Sequence, residues 1–212
     1  MKFISKDPPP AKLVAYRQRP NATYYGFRRG KARYKETKEA LAREQGFICC
    51  YCGKRLLCDA NTHIEHLYAQ GTPLYEEMQL DYETNLLACC DGGTVLRSQG
   101  AIDPSQLYCE AVKGSNIIPV SPLTIECEDK FVYSQNGEVV GCSKDAEVTI
   151  KILNLNSPLI KNQRKAAIKS LTDYAVDYMV ELHRVRSKKA NGEYEEFCFV
   201  LESYIKENCI ST

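Results

Sequence analysis

The chain has 212 residues, 28 Lys and Arg against 27 Asp and Glu, 44% apolar side chains, 11 Cys and no Trp. That length accommodates one or two domains with a sizeable core, and the balance of charged and apolar residues excludes collagen, coiled coil and wholesale disorder. No apolar run approaches the roughly 18 residues of a membrane span, and the opening Met1-Lys2-Phe3-Ile4-Ser5-Lys6-Asp7 has neither the apolar stretch nor the cleavage site of a signal peptide, so a cytoplasmic location without a membrane partner is expected.

The near-neutral total hides an asymmetry. Through Gln45 the chain carries 12 Lys and Arg but only 4 Asp and Glu, a balance of +8 that leaves −7 for the rest against the total of +1. Residues 1–34 hold Pro8-Pro9-Pro10, Pro20 and few periodic apolar positions, which predicts an extended arm. Its cations, among them Arg17, Arg19, Arg28, Arg29 and Lys31, interleave with Tyr16, Tyr24, Tyr25, Phe27 and Tyr34. Cations that meet phosphates, beside rings that stack on bases, suit a nucleic-acid arm. A solvated N-terminus that packs its tyrosines on a neighbour is the competing reading.

A helix is predicted from Lys35 to Gln45, with Leu41 on its apolar stripe and Gly46 as its C-cap. Cys49-Cys50-Tyr51-Cys52-Gly53-Lys54 then forms a knuckle, two thiols three positions apart with Gly53 relieving the turn. Leu56 to His66 is strand-rich, Leu67 to Glu83 is a polar loop around Gly71 and Pro73, and Asn85-Leu86-Leu87-Ala88 is a short buried strand. Residues 91–108, with Gly92-Gly93 and Pro104, make an irregular insertion, and Ile117 to Pro122 is extended. Phe131–Ser134 and Glu138–Val140 flank Gln135-Asn136-Gly137, a hairpin signal. Helices over 158–186 and 193–208 close the chain, the first resting on Ile160, Ala167, Ile168, Leu171, Ala175, Tyr178, Met179 and Leu182. The predicted organisation is a basic N-terminal arm and helix (1–45), a metal-containing core (46–125) and a supporting hairpin with C-terminal helices (126–212).

An odd number of cysteines in a reducing compartment points to metal and not to a disulfide framework. Cys127, Cys142, Cys198 and Cys209 stand alone and are expected to be small buried apolar residues. Cys49, Cys52, Cys90 and Cys109 supply four thiolates for a tetrahedral structural Zn²⁺ site, with Cys89 competing with Cys90 for one position. Two of the three histidines lie in Thr62-His63-Ile64-Glu65-His66. An adjacent carboxylate and imidazole offer a hard metal ligand and a general base. Neighbouring strand residues face opposite ways, so Glu65 and His66 reach one site only where the strand ends, as Leu67-Tyr68-Ala69-Gln70-Gly71 does end it. His63 shares a face with Glu65 and is a candidate partner for it.

Cys49-x-x-Cys52, Ile64-Glu65-His66, Asn85-Leu86 and Cys109-x-x-x-Lys113 resemble the HNH endonucleases, and more narrowly the PtuB and retron-associated HNH nucleases of bacterial anti-phage defence. Lys2-Phe3-Ile4-Ser5-Lys6 with Pro9-Pro10, and Leu153-Asn154-Leu155-Asn156 with Leu159 and Arg164, are similar to that subfamily outside the motif. The resemblance implies an α+β fold with a ββα-metal core, a zinc knuckle, the basic N-terminal arm and a helical C-terminal part. It implies His66 as the base that activates water, Glu65 as a Mg²⁺ or Mn²⁺ ligand, and Asn85 as the residue that orients the base. The third motif position, normally His or Asn, falls on Glu110, with Asp91 and Asp103 as competitors across the insertion. Lys113 is either a phosphate contact or simply solvated. Nucleic acid, DNA before RNA, is the implied substrate, and an ATPase of the PtuA type the implied partner. The C-terminal helices then serve as a docking surface, as plain core or as the seam of a homo-oligomer. A zinc-stabilised binding or interaction subunit without catalysis is the alternative.

Overall fold

The computed structural model describes residues 1–172 and 177–209 and is α+β, mostly helical, with two small two-stranded sheets among the described residues. The first residues lie along the core: Met1 and Ile4 are buried, and the Ile4 amide donates to the Pro122 carbonyl at 2.8 Å. Helix α1 (Ala11–Arg17) begins directly after Pro10. Helix α2 (Tyr24–Arg29) is capped by Thr23, whose hydroxyl accepts from the Gly26 amide at 3.1 Å, and α3 (Lys31–Glu44) follows.

The extended arm expected over 1–34 is therefore corrected to two short helices. Leu13 and Tyr16 on α1, and Tyr24 and Phe27 on α2, are three positions apart and share a face that is buried. The rings pack on one another, Tyr16 to Phe27 at 5.6 Å and Tyr24 to Phe27 at 6.0 Å between centroids. The tyrosines thus pack inside their own chain. Tyr25 alone of these rings is widely exposed, at 72%.

Helix α3 packs on β1 (Thr62–His66) and β2 (Leu86–Cys90), which pair antiparallel with Thr62 opposite Cys90 and His66 opposite Leu86. Just past α3, the Gln45 side chain donates to the Ile48 and Ala88 carbonyls at 2.9 and 2.8 Å and accepts from the Ala88 amide at 2.7 Å, which stitches the knuckle to β2. The strand-rich segment expected from Leu56 narrows to β1, preceded by a single bridge between Ile48 and Arg55. A 3₁₀ helix (Pro73–Met78) occupies the polar loop.

The insertion holds α4 (Thr94–Ser98) and a short 3₁₀ turn (Pro104–Gln106), and α5 (Glu110–Lys113) follows it. Its ends meet where the Tyr108 amide donates to the Gly92 carbonyl at 3.0 Å. A Cβ on Gly92, which sits at φ +59°, would come within 2.1 Å of the Tyr108 carbonyl oxygen, so glycine is required for that closure.

The hairpin forms as expected from β3 (Phe131–Tyr133) and β4 (Val139–Gly141). Helix α6 (Lys144–Ile152), capped by Ser143, has no counterpart among the predicted elements. The single helix expected over 158–186 is two, α7 (Pro158–Thr172) and α8 (Tyr178–Arg186). Asp177 is non-helical and accepts from the Met179 and Val180 amides, so it starts α8 afresh. Ile160, Ile168, Leu171 and Leu182 are buried as predicted, Met179 is exposed, and Ala175 lies outside the described residues. Helix α9 (Cys198–Asn208) starts later than expected because the preceding residues are tied to the knuckle region, Tyr194 N to Gly46 O and Phe197 N to Gly53 O, both at 2.9 Å. Buried apolar residues from α1 to α9 form one cluster. No helix among the described residues is long and apolar enough to cross a membrane.

Candidate functional site

The Cys49–Lys54 knuckle is a tight turn in which the Gly53 amide donates to the Cys49 carbonyl at 3.1 Å and the Cys49 amide to the Lys54 carbonyl at 2.8 Å. Gly53 takes φ +80°, and a Cβ there would meet the Phe199 ring at 2.8 Å. The turn aims both thiols inward. Cys90 arrives from the end of β2 and Cys109 from the far side of the closed insertion, and the four sulfurs of Cys49, Cys52, Cys90 and Cys109 all lie within 4.8 Å of one another. Each residue is buried, at 0%, 2%, 3% and 0% exposure.

This set is consistent with a structural Zn²⁺ site: four sulfur donors, closed to solvent, in the number a tetrahedral ion wants. Three further observations fit an ion. No disulfide joins the cysteines. Cys109 holds φ +53° with ψ −134°, a conformation a non-glycine residue keeps only when its surroundings force it. The Tyr108 hydroxyl, beside the set in sequence, is buried with no hydrogen-bond partner. Within the set, bonding from Cys109 pulls the Cys90 thiol down, while burial pushes the Cys52 and Cys109 thiols up. Cys89 meets Cys49 at 3.5 Å, whereas Cys90 meets Cys52 at 3.8 Å, so the four-membered set takes Cys90. Of the isolated cysteines, Cys127 and Cys198 are buried as expected; Cys142 is exposed and Cys209 half-buried because both follow the ends of elements at the surface.

At the end of β1 the side chains of Glu65 and His66 take entirely different partners. Oε1 of Glu65 accepts from the Tyr51 hydroxyl at 2.9 Å and from Lys113 Nζ at 3.1 Å. Burial pushes this carboxyl up while Lys113 and Tyr51 pull it back. Lys113 is 2% exposed and also donates to the His66 carbonyl at 2.8 Å, so it is enclosed by a carboxylate and a carbonyl and is not presented to a phosphate. His66 Nε2 donates to the Gln79 carbonyl at 3.0 Å, which leaves Nδ1 to accept from the Gln70 amide at 2.9 Å. The Tyr24 ring meets the imidazole edge-on at 4.4 Å. Burial lowers the His66 pKa to about 4 against the pull of the Gln79 carbonyl, well below the near-neutral value expected of a catalytic imidazole.

Asn85 is fully buried, accepts from the Tyr68 amide at 2.8 Å and donates to the Met78 carbonyl at 2.8 Å. It braces the segment whose next residue, Gln79, holds His66. His63 bonds to Glu110 at the start of α5 and not to Glu65, and that bond raises its pKa. Asp91 accepts from the Val95 amide at 3.2 Å and Asp103 caps the 3₁₀ turn, so both serve local backbone. Among the described residues the only groups of three or more metal-ligating side chains drawn together are made of cysteine. Glu65 and Glu110 therefore do not fit a two-carboxylate Mg²⁺ or Mn²⁺ site as they stand.

Of the basic residues, Arg28, Arg29 and Lys31 are exposed at the α2–α3 junction. Arg17 pairs with Glu83 at 3.5 Å, and Arg19 lies over the Tyr16 ring at 5.4 Å. Sequence reasoning missed the residues that close this end of the molecule: Tyr51 at Glu65, and Tyr24, Gln70 and Gln79 at His66. None carries a spacing that would single it out, because each arrives from a different turn or helix. Compared with known proteins, the chain matches no family model and no curated relative.

Proposed function

We propose that the chain is an HNH-type endonuclease that hydrolyses phosphodiester bonds in nucleic acid, DNA before RNA. The observation that carries this reading is the order of parts: β1 ending in His66, antiparallel β2, then α5 opening with Glu110, with the thiols of Cys49, Cys52, Cys90 and Cys109 gathered where β2 ends and α5 begins. His66 keeps Nδ1 as its acceptor, the tautomer a general base needs, and its pKa of about 4 must rise toward neutrality for it to act as one. The one side chain bonded to Nδ1, Gln70, is exposed, so displacing it admits a water. Asn85 holds the 78–79 segment against which the imidazole is oriented.

A divalent cation, Mg²⁺ or Mn²⁺, belongs to this reading as the species that offsets charge on the reacting phosphate. Glu110, bonded to His63, and Glu65, bonded to Lys113, would both have to leave those partners to hold it. Arg28, Arg29 and Lys31 are the exposed cations suited to phosphate contact. Membership of an anti-phage system beside a PtuA-type ATPase is part of the same proposal, with α8, which exposes Met179 and Val180, as the docking element.

One observation favours a second reading, a zinc-stabilised binding subunit without catalysis: both His66 nitrogens and Glu65 are already satisfied by the protein. Incubating the pure chain with duplex DNA, single strands and tRNA, each with and without Mg²⁺ or Mn²⁺, separates the two. Cation-dependent cleavage lost in His66→Ala supports the nuclease. Tight binding without cleavage under every condition supports the subunit.

A further inference from the structure

Two more buried thiols stand beside the four already described. Cys50 and Cys89 are 3% and 0% exposed, and with Cys49 they form a second set whose sulfurs all lie within 4.8 Å of one another. Cys49 stands between the sets, 3.5 Å from Cys89 Sγ and 4.0 Å from Cys109 Sγ. The two sets adjoin, since Cys89 also interacts with Cys90 and Cys109. Cys89 and Cys90 are successive residues of β2 and point to opposite sides of it, one toward Cys49 and the other toward Cys52.

The second set differs from the first in that two of its three cysteines, against one of four, border the same cavity. A cavity of about 310 Å³, bordered by Ser5, Asp7 and Glu44, has Cys49 and Cys50 in its wall. Four enclosed thiolates suit a structural ion, whereas three protein ligands with an opening suit an ion that keeps a position for water. Sulfur donors select soft or borderline cations over Mg²⁺ or Ca²⁺. Charge selects further. Cys49 already counts as a thiolate of the first ion, so a divalent cation that displaces the protons of Cys50 and Cys89 adds no net charge to the buried centre. A monovalent cation would add a negative one.

We propose that Cys49, Cys50 and Cys89 form a second, exchangeable Zn²⁺ position that shares the Cys49 sulfur with the four-thiol ion and is reached through this cavity. It does not depend on the nuclease reading. Zinc content of the full-length chain is measured by elemental analysis after equilibrium dialysis, once against buffered excess Zn²⁺ and once against a weak chelator. The expected result is two zinc per chain falling to one, and one under both conditions in Cys50→Ala. Cd²⁺ in place of Zn²⁺ keeps the test open if that variant does not fold: the second Cd²⁺ must add thiolate charge-transfer absorption. A wild-type chain that never exceeds one zinc overturns the proposal. So does a second Cd²⁺ that binds without that absorption, which marks an adventitious surface ion. Loss of the chelator-resistant ion in Cys89→Ala but not in Cys90→Ala also overturns it, because Cys89 would then belong to the first ion.

Discussion

The thiol centre and the end of β1 are both buried and both hang on the β1–β2 ladder, yet they are completed in opposite ways. At the thiol centre four like ligands converge and bond only to other thiols, and the adjacent Tyr108 hydroxyl has no partner. At the end of β1 every ionisable group has found a protein partner: Glu65 has Lys113 and Tyr51, His66 has Gln79 and Gln70, and His63 has Glu110. Convergent thiols that have only one another for partners suit an ion that holds the fold. Groups that satisfy one another hold the fold by themselves and must exchange partners before they act on a substrate. The first region is consistent with a metal-held scaffold, and on the proposed nuclease reading the second is where activity has to be switched on.

The sharpest way to break this comparison is at the scaffold. Cys109→Ser removes one of the four thiols of the candidate zinc site, held in a strained conformation, and structural zinc contributes on the order of 10 kcal/mol to folding in small zinc domains. The variant should lack a cooperative melting transition, as scanning calorimetry or near-ultraviolet dichroism will show. A wild-type transition would mean the thiols are ordinary core. At the other region His66→Ala should keep its zinc and its fold while cleavage falls by about 10²–10⁴-fold, the usual contribution of a positioned base.

Lys113→Met tests whether the β1 end is held by its own pairs. It leaves Glu65 buried and unpaired, which costs about 3–5 kcal/mol when one partner of a buried pair is removed. Urea unfolding should register that loss, and Glu65→Gln in the same chain should restore much of it. Acidification makes a related, slightly smaller demand. His66 has a pKa near 4 in the folded chain against 6.5 when free, so between these values the unfolded chain binds the extra proton. Its contribution is intact above pH 6.5 and is lost as pH falls toward 4, about 3 kcal/mol in all. His66→Gln should flatten that part of the stability–pH curve. The smallest effect belongs to the surface: Arg28→Glu with Arg29→Glu should lower nucleic-acid affinity and reduce its salt slope by about 0.9 for each phosphate that the arm no longer neutralises.

The thiol centre was legible because its signal is local chemistry: two thiols in a four-residue turn, and two more whose pairing across the insertion needs only that sulfur seeks metal. The hairpin was legible for the same reason, since Asn136-Gly137 specifies its own turn. The N-terminal helices were not, because α1 and α2 span 7 and 6 residues and so are too short to display a period. Their proline boundaries look like an extended chain until Tyr16, Tyr24 and Phe27 are seen to bury one another. Helix α6 did carry a signal, Ser143 followed by Asp145 and Glu147 in the first turn. At the end of β1 the expectation that Glu65 and His66 reach one site, with His63 as partner of Glu65, does not hold: β1 runs through His66, so Glu65 turns to Tyr51 and Lys113, His66 to Gln79 and Gln70, and His63 to Glu110. Lys113, at the end of a four-residue helix, resembles a solvated cation in sequence and is buried only because the insertion closes behind it.

The measurement that bears most directly on this account is a thermal melt of the purified chain before and after treatment with a strong zinc chelator, with metal content determined on the same samples. The account predicts at least one zinc that survives gel filtration in Mg²⁺-containing buffer, no retained Mg²⁺, and loss of the cooperative transition once the zinc is stripped. A chain that carries no zinc and melts at the same temperature with or without the chelator would contradict it.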